Sequence, residues 1–237
     1  MLPKTPLSAG PHPAADTTPP TWPRARLYAV LPRTLAEAES RLPGPVGRWL
    51  RSACDSGAGL LPATADPDAL DGLAERFLAD VPLGPALREY GRYELDTVRL
   101  RRCRDATATA LAWDEDAADR LRTLDTHPAR VMTAPLTRPP GVRVRGYDHD
   151  VLHQRAPYEI PARAVTVVTG PRRGRPPLAF RAEPGTAGLL LFCDGVRTGA
   201  EVAAAAGIAP RRALPRLGEL ARHGMVLLAG RTEGGRP

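Results

Sequence analysis

The spacing of apolar residues changes once along this chain, near residue 129, and this change limits the possible folds more than any other feature. Before it, apolar residues recur at steps of three and four, as in the run from about Pro85 to Asp105, which is typical of amphipathic helices. After it, the segments VMTAP, VRVRGY and AVTVV alternate in polarity or are rich in β-branched residues, which indicates strands. The sequence therefore predicts an α+β fold, with an N-terminal all-α helical domain followed by a small winged-helix-like α/β module.

Chain length and proline content suggest where the domains begin and end. A chain of 237 residues favours two small domains over one. Residues 1–23 contain seven prolines and too few large apolar residues to bury a core, so we expect a disordered tail there. We expect the helical domain over residues 24–128, connecting strands over 129–162 and the winged-helix-like module over 163–237.

Two Thr-x-x-Glu spacings predict capping boxes at helix N-termini: Thr34 with Glu37, and Thr198 with Glu201. In the last third we expect helices over about 186–193, from Thr198 to about 207, and over about 211–223. The segment MVLLAG then returns as a strand. Strands followed by three short helices and a closing strand form the pattern of a small winged helix.

Glu94 is an unusual residue in the longest predicted helix because it falls on the apolar stripe. A buried carboxylate costs several kcal/mol unless it is paired or hydrogen-bonded. Two explanations stay open: an internal bond to a tyrosine or an arginine, or a role in docking a partner.

The net charge of +7 is concentrated in the last third of the chain. Residues 163–237 hold 12 arginines against 5 acidic residues, whereas residues 1–162 hold 21 basic and 21 acidic residues. Arginine recognises carboxylates and phosphates through its planar fork of donors. The sequence therefore indicates an acidic peptide or a nucleic acid as the partner of the last third.

Sequence motifs for catalysis or metal binding are weak or missing. Asp148, His149, Asp150 and His153 lie close together, and the two histidines would share one face if this stretch were helical. Two histidines are too few for a metal site. No GxSxG, GxxxxGK[ST], HExxH or GxGxxG motif occurs. We therefore expect no catalytic residue and no metal or other cofactor of its own.

Cysteine spacing and hydropathy bear on the cellular compartment. Cys54, Cys103 and Cys193 have no close spacing, so we expect reduced thiols. The N-terminal segment has no apolar h-region, and no run of about eighteen apolar residues occurs. These features predict a cytoplasmic protein that does not bind or cross a membrane.

The segment from about Arg163 to Leu228 resembles the precursor peptide recognition element of RiPP biosynthesis. The resemblance rests on two strands, on an apolar helix closing at Cys193-Asp194-Gly195, on Thr198 and Glu201 opening the next helix, and on LPRLGELARHGMVLL. It implies a winged-helix module that binds the leader of a ribosomal precursor peptide.

Together with the helix REYGRYELDTVRL and the segment VRGYDHDV, this tail resembles the partner proteins of multinuclear non-heme iron oxidative enzymes, as in methanobactin biosynthesis. The resemblance implies that iron and chemistry belong to a larger partner enzyme, and that this chain is an accessory subunit. By the same resemblance, Tyr90 and Glu94 match the acidic helix of the partner family and Asp150 its strand-end aspartate. With Asp148, these three are the expected partner-docking residues.

A peptide-binding mechanism also follows from the residues themselves. We expect an exposed edge strand near 178–182 beside the helix 211–223, forming a groove into which an extended peptide adds a strand. Leucines supply apolar pockets, while arginines of this helix and of the loop RRGRPP attract acidic leader residues. The predicted peptide-binding residues are Leu178, Phe180, Arg181, Arg211, Arg212, Leu214, Arg216 and Leu217.

Two other functions remain as alternatives. In a winged-helix DNA-binding regulator, the helix 211–223 would enter the major groove and the RRGRPP loop would contact phosphates. Pro215 is expected to shorten that helix at the end nearest the bases, so a nucleic-acid partner is disfavoured. The third possibility is a stand-alone hydrolase or metal enzyme.

Overall fold

The computed structural model describes residues 21–55, 67–102, 127, 129–139, 141–153, 160–171 and 177–228. These residues form nine helices and two three-stranded antiparallel sheets, which confirms the predicted α+β class. The helices are α1 (Thr21–Val30), α2 (Pro32–Arg41), α3 (Pro43–Asp55), α4 (Pro67–Asp80), α5 (Pro85–Arg102), α6 (Arg130–Thr133), α7 (Pro184–Phe192), α8 (Gly199–Ala205) and α9 (Pro210–Arg222). The strands are β1 (Pro135–Thr137), β2 (Arg143–Tyr147), β3 (Val165–Gly170), β4 (Leu178–Ala182), β5 (Asp194–Thr198) and β6 (Leu227–Leu228).

Helices α1 to α5 pack around an aliphatic core that includes Leu27, Leu35 and Phe77, each fully buried. Trp49 packs edge to face on Phe77, with ring centroids 5.3 Å apart. Helix α1 begins at Thr21, three residues inside the segment predicted as a tail; Pro23 is accommodated because it falls in the first turn. Among the described residues, no helix combines the length and the apolar character needed to cross a bilayer.

The start of α2 corrects one of the two predicted capping boxes. Helix α2 begins at Pro32, with Leu31 at the N-cap and no side-chain cap bond, so Thr34 lies inside the first turn. Proline has no N–H to leave unpaired and is favoured at the first helical position. The prediction of Thr34 as the N-cap is therefore wrong.

Helix α5 approaches α2 and α4 closely at Gly91. A Cβ atom at this position would lie 2.4 Å from Cδ2 of Leu78 and 3.1 Å from Cγ2 of Thr34. Real Cβ atoms essentially never come within 3.0 Å of another heavy atom, so position 91 needs glycine at this packing distance.

The larger sheet has the strand order β2-β3-β4. Its antiparallel register aligns Val144, Val168 and Phe180 across the three strands, and aligns Arg145, Val167 and Arg181 one position away. Because successive side chains point to opposite faces, these two rows lie on opposite sides of the sheet. The first row packs against the core of α7 to α9, and Val167 in the second row lies in a cluster with Tyr90 of α5.

The smaller sheet has the order β5-β1-β6 and corrects the prediction for VMTAP. Residues 130–133 form the short helix α6, and the strand begins only at Pro135. Strand β5 was not predicted, because its pairing of Asp194 with Thr137 joins residues far apart in sequence. Asp194 and Gly195 were interpreted only as a helix stop.

Helices α7, α8 and α9 bury a second core, in which Leu189, Leu190 and Leu217 are inaccessible to solvent. The predicted capping box of α8 is confirmed: Thr198 Oγ1 accepts from the Glu201 N–H, and the Glu201 carboxylate accepts from the Thr198 N–H.

Helix α9 begins at Pro210, so Pro215 is its sixth residue and lies inside the helix. The prediction that Pro215 shortens this helix is therefore wrong. Proline removes the N–H that would bond to the Arg211 carbonyl, and its ring crowds that carbonyl. Since Pro215 and Arg211 are both exposed, water can satisfy that carbonyl.

Candidate functional site

The β4 edge of the larger sheet is unpaired within the described residues. Strand β4 pairs with β3 alone, so the main-chain groups on its other side have no strand partner in this part of the chain. Leu178 and Phe180 are half-buried against the α7–α9 core. An unpaired strand edge of this kind can accept an added strand.

Helix α9 binds the residue that follows β4. Glu183, the residue after β4, is hydrogen-bonded and ion-paired to the Arg216 guanidinium. A Cβ at Gly185 would lie 2.8 Å from Nη1 of Arg216, so this arginine also packs over the start of α7. The structure therefore brings the predicted edge strand and the predicted arginine helix together at Arg216.

Arg211 and Arg212 lie in the first turn of α9, and both are exposed. Within the described residues, neither guanidinium has a hydrogen bond or an ion pair. Cations at a helix N-terminus oppose the helix dipole, at a cost of about 0.3 to 1 kcal/mol each. An anionic partner would relieve this cost, which makes the pair a candidate for binding one. The loop arginines Arg172, Arg173 and Arg175 lie outside the described residues.

The two predicted pocket leucines have different positions. Leu214 is half-buried on the surface of α9, whereas Leu217 has an exposed fraction of 0% within the second core. Leu217 therefore packs inside the core and is not accessible to a peptide. The predicted apolar side chains that remain partly accessible are Leu178, Phe180 and Leu214.

Arg181 and Asp150, predicted for two different functions, bind each other. Nε of Arg181 donates to Oδ1 of Asp150 at 2.8 Å, and Nη2 lies 2.8 Å from Oδ2. Asp150 is only 3% exposed, whereas the Arg181 side chain that binds it is exposed. The bidentate pair joins β4 to the turn that follows β2.

Glu94 caps the N-terminus of α2 from 60 residues away. Its carboxylate accepts the N–H of Arg33 at 3.1 Å, the N–H of Thr34 at 3.0 Å and the hydroxyl of Thr34 at 2.7 Å. An internal bond is thus found, as in one of the two explanations, although its donors belong to a helix terminus. Burial raises the pKa of Glu94 despite these bonds. Nearby, the Tyr90 hydroxyl accepts from Nη1 of Arg33 at 3.3 Å.

Two acidic residues of α5 that the sequence did not single out connect this helix to β2 and its turn. Glu89 accepts the N–H groups of Asp148 at 3.1 Å and His149 at 2.8 Å. Asp96 pairs with Arg145 and accepts the Tyr147 hydroxyl at 3.4 Å. The two carboxylates are seven residues apart, which places them on one face of the helix. This spacing was the feature of the sequence that could have indicated a shared role for them.

Burial and hydrogen bonding shift the pKa of Glu89 in opposite directions. Burial opposes ionisation, but the backbone bond from Asp148 and the bonds from His149 outweigh it, so the pKa lies below its usual value. The exposed Asp148 side chain is thereby held on a fixed turn beside α5.

Two features of the described residues bear on metal binding and on nucleophilic chemistry. Residues 148–153 form turns, so His149 and His153 do not meet the helical condition for a shared metal; Nδ1 of His149 instead lies 2.9 Å from Glu89. The described ranges contain no group of three or more metal-ligating side chains. Burial raises the pKa of the Cys193 thiol to about 12, which keeps it protonated and a poor nucleophile.

Comparisons with family models, curated proteins and solved structures found no match to this chain. The resemblance noted from the sequence therefore carries forward only as a hypothesis about function.

Proposed function

We propose that this protein is a non-catalytic partner subunit that binds the leader of a ribosomal precursor peptide and presents it to a larger iron-dependent peptide-modifying enzyme. The observation that carries the proposal is the unpaired β4 edge, which is followed by Glu183, the ion-pair partner of Arg216 in α9. The first turn of α9 holds two exposed arginines. In this proposal the 163–237 segment acts as a recognition-element-like winged helix. The iron belongs to the partner enzyme.

The peptide would bind by adding a strand to β4. Main-chain hydrogen bonds then fix its register, and apolar leader residues contact Leu178, Phe180 and Leu214. Arg211 and Arg212 attract acidic leader residues, which raises the association rate and makes binding weaken with salt. Affinity at high salt would come mainly from the apolar contacts.

The enzyme-docking surface would centre on α5 and the turn that it holds. Asp148 is the exposed member of this group, while Tyr90, Glu94 and Asp150 are buried and act by positioning. Because Glu89 binds two N–H groups of the turn, the Asp148 carboxylate is presented in a defined place. The bond between Asp150 and Arg181 would connect the docking surface to the peptide-binding strand.

The proposal is tested by selecting ligands from a displayed library of the short open reading frames of the source genome. For the selected peptide, the double substitution Arg211→Glu and Arg212→Glu should weaken binding at least about tenfold at low salt, since two attractive charges become repulsive. The control is Arg48→Glu with Arg51→Glu, the same charge change on exposed residues of α3. An equal loss in both double variants would contradict the proposal.

Strand addition can be distinguished from other modes with N-methylated copies of the peptide. In a strand, alternate N–H groups face the neighbouring strand. Methylating one alternating set should abolish binding, and methylating the other set should leave it nearly unchanged. Equal effects of the two sets would exclude pairing at β4. The enzyme half is tested by co-expression: the chain should co-purify with an iron-containing enzyme, and Asp148→Lys should separate the two.

One observation supports a second candidate, a winged-helix DNA-binding regulator. Helix α9 runs its full 13 residues through Pro215, and its first turn exposes Arg211 and Arg212. A gel-shift assay with DNA from upstream of the coding region distinguishes the two. Specific binding at physiological salt that is lost in Arg211→Glu with Arg212→Glu, with no peptide selected, would favour the regulator.

A further inference from the structure

Six arginines of α5, β2 and the residue after β1 line two adjoining clefts on either side of Asp96. The first cleft, of about 340 Å³, lies between α4 and α5 and is lined by Arg88, Arg92, Arg99 and Arg145. The second, of about 430 Å³, lies over β2 and β3 and is lined by Arg138, Arg143 and Arg145. We call these two spaces the arginine clefts. Asp96 and Arg145 line both, so the clefts adjoin at this pair.

Positive charge exceeds negative charge in the arginine clefts. Glu75 and Asp96 are the two carboxylates among the lining residues, against six arginines. Residues 1–162 carry equal numbers of basic and acidic residues, so folding has separated charges that cancel in the sequence. The local excess attracts an anion.

Some of these arginines already have partners, and two do not. Arg99 binds Asp71 and Glu75, Arg145 binds Asp96, and Arg88 donates to the Leu78 carbonyl. Within the described residues, the side chains of Arg92 and Arg138 make no hydrogen bond or ion pair. One such guanidinium lies in each cleft, with its full set of donors available.

The size and chemistry of the clefts indicate the ligand class. Volumes of this order lie at the lower end of those that hold small molecules. Arginine forks bind the paired oxygens of phosphates and carboxylates in a bidentate manner. An extended polyanion fits less well, because the sites are concave and Glu75 and Asp96 interrupt them.

We propose that the arginine clefts bind a small, multiply charged oxyanion, a phosphate compound or a polycarboxylate. Arg92 and Arg138 supply the free donors, and Arg145, held by Asp96, contributes to both clefts. This site is separate from the proposed peptide-binding edge, because no residue of β4 lines either cleft. It adds a small-molecule ligand to a protein proposed to bind a peptide.

The test uses the full chain and two probes, inorganic pyrophosphate and citrate, in calorimetric titrations with ionic strength held constant by sodium chloride. We expect saturable binding of one probe with a dissociation constant below about 1 mM. Arg92→Gln and Arg138→Gln should each weaken it about tenfold, by loss of charged hydrogen bonds. The matched control is Arg101→Gln, an exposed residue of α5 that lines neither cleft, and it should leave affinity unchanged.

Each outcome decides the proposal. The tighter of the two probes identifies the ligand as phosphate-like or carboxylate-like. The proposal is overturned if neither probe binds, if Arg101→Gln loses as much affinity as the cleft variants, or if added chloride reproduces the heat. It is also overturned, in favour of a macromolecular partner, if an oligoglutamate peptide binds more tightly than both probes and responds to the same variants. Unchanged thermal unfolding of the variants shows that the fold is intact.

Discussion

The two faces of the β2-β3-β4 sheet are closed in different ways. On one face, Val144, Val168 and Phe180 pack against the aliphatic core of α7 to α9. On the other face, Arg145 and Tyr147 meet α5 through Asp96. The first face joins an aliphatic core, with Val168 fully buried, whereas the second is bordered by an open cleft.

One face of the sheet therefore contributes mainly to stability, and the other face carries the proposed ligand site. Apolar burial is non-directional and scales with area, so the packing of the first face against the α7–α9 core contributes to stability wherever apolar area is covered. Ion pairs at a partly exposed surface add little stability, but they fix orientation. The polar face therefore holds α5, the turn after β2 and the arginine clefts in a fixed arrangement.

The largest expected effect is on the apolar side. Leu190 of α7 is fully buried in the second core, and Leu190→Ala should lower the free energy of unfolding by about 3 kcal/mol. Its neighbour Leu191 is 57% exposed, so Leu191→Ala, the same change in the same helix, should change stability by less than about 0.5 kcal/mol. Urea unfolding measures both, and similar losses would contradict the burial described for α7.

A more direct comparison uses two adjacent residues of β3. Val168 faces the dry core, whereas Val167 faces the polar side and lines the second arginine cleft. Val168→Ala should cost about 2 kcal/mol and Val167→Ala about 1 kcal/mol. Val167 is also buried, but it forms part of the wall of an open cleft, so the space left by the substitution can relax or admit water. An equal or larger loss at Val167 would show that the polar face is packed as tightly as the apolar one.

The smallest expected effect is pH-dependent and lies on the polar side. The pKa of Glu89 is lowered in the folded protein, so its bonds stabilise the fold fully above the ordinary carboxyl pKa of 4.5 and less as the pH falls below it. Glu89→Gln should cost about 1 kcal/mol near pH 5.5, and this difference should shrink near pH 3.

The control for Glu89 is Glu219→Gln, the same change at an exposed position of α9. It should produce little difference at either pH. Chemical denaturation of the three proteins at both pH values supplies the comparison. A difference for Glu89→Gln that grows as the pH falls would contradict the sign given for Glu89.

Sequence reasoning succeeded where the determining contacts are local. Alternation within β2 and the β-branched residues of β3 were enough to predict these strands. The Thr198–Glu201 box was correct because the box closes within three residues. The Thr34–Glu37 spacing looked the same and failed. There, Pro32 starts the helix, so the N-cap lies three residues earlier, at Leu31, and Glu94 supplies the capping bonds from another helix.

The polar contacts of the candidate sites could not be predicted, because they join distant segments. Arg145 and Asp96 are 49 residues apart, and Arg181 and Asp150 are 31 apart. The pattern of residues within a single helix or strand does not indicate which of several arginines will bind a given carboxylate. By contrast, strand alternation alone was enough to predict that Leu178 and Phe180 lie on one face of β4.

Gly91 allows the close packing of helices near the buried Glu94 carboxylate. It lies one turn before Glu94, and its bare Cα lets α5 settle against Thr34, the residue that Glu94 binds. A methyl group there would force the Leu78 side chain of α4 to move and would crowd Thr34 of α2. The close packing of α5 against α2 and α4 thus depends on the absence of a side chain at this position.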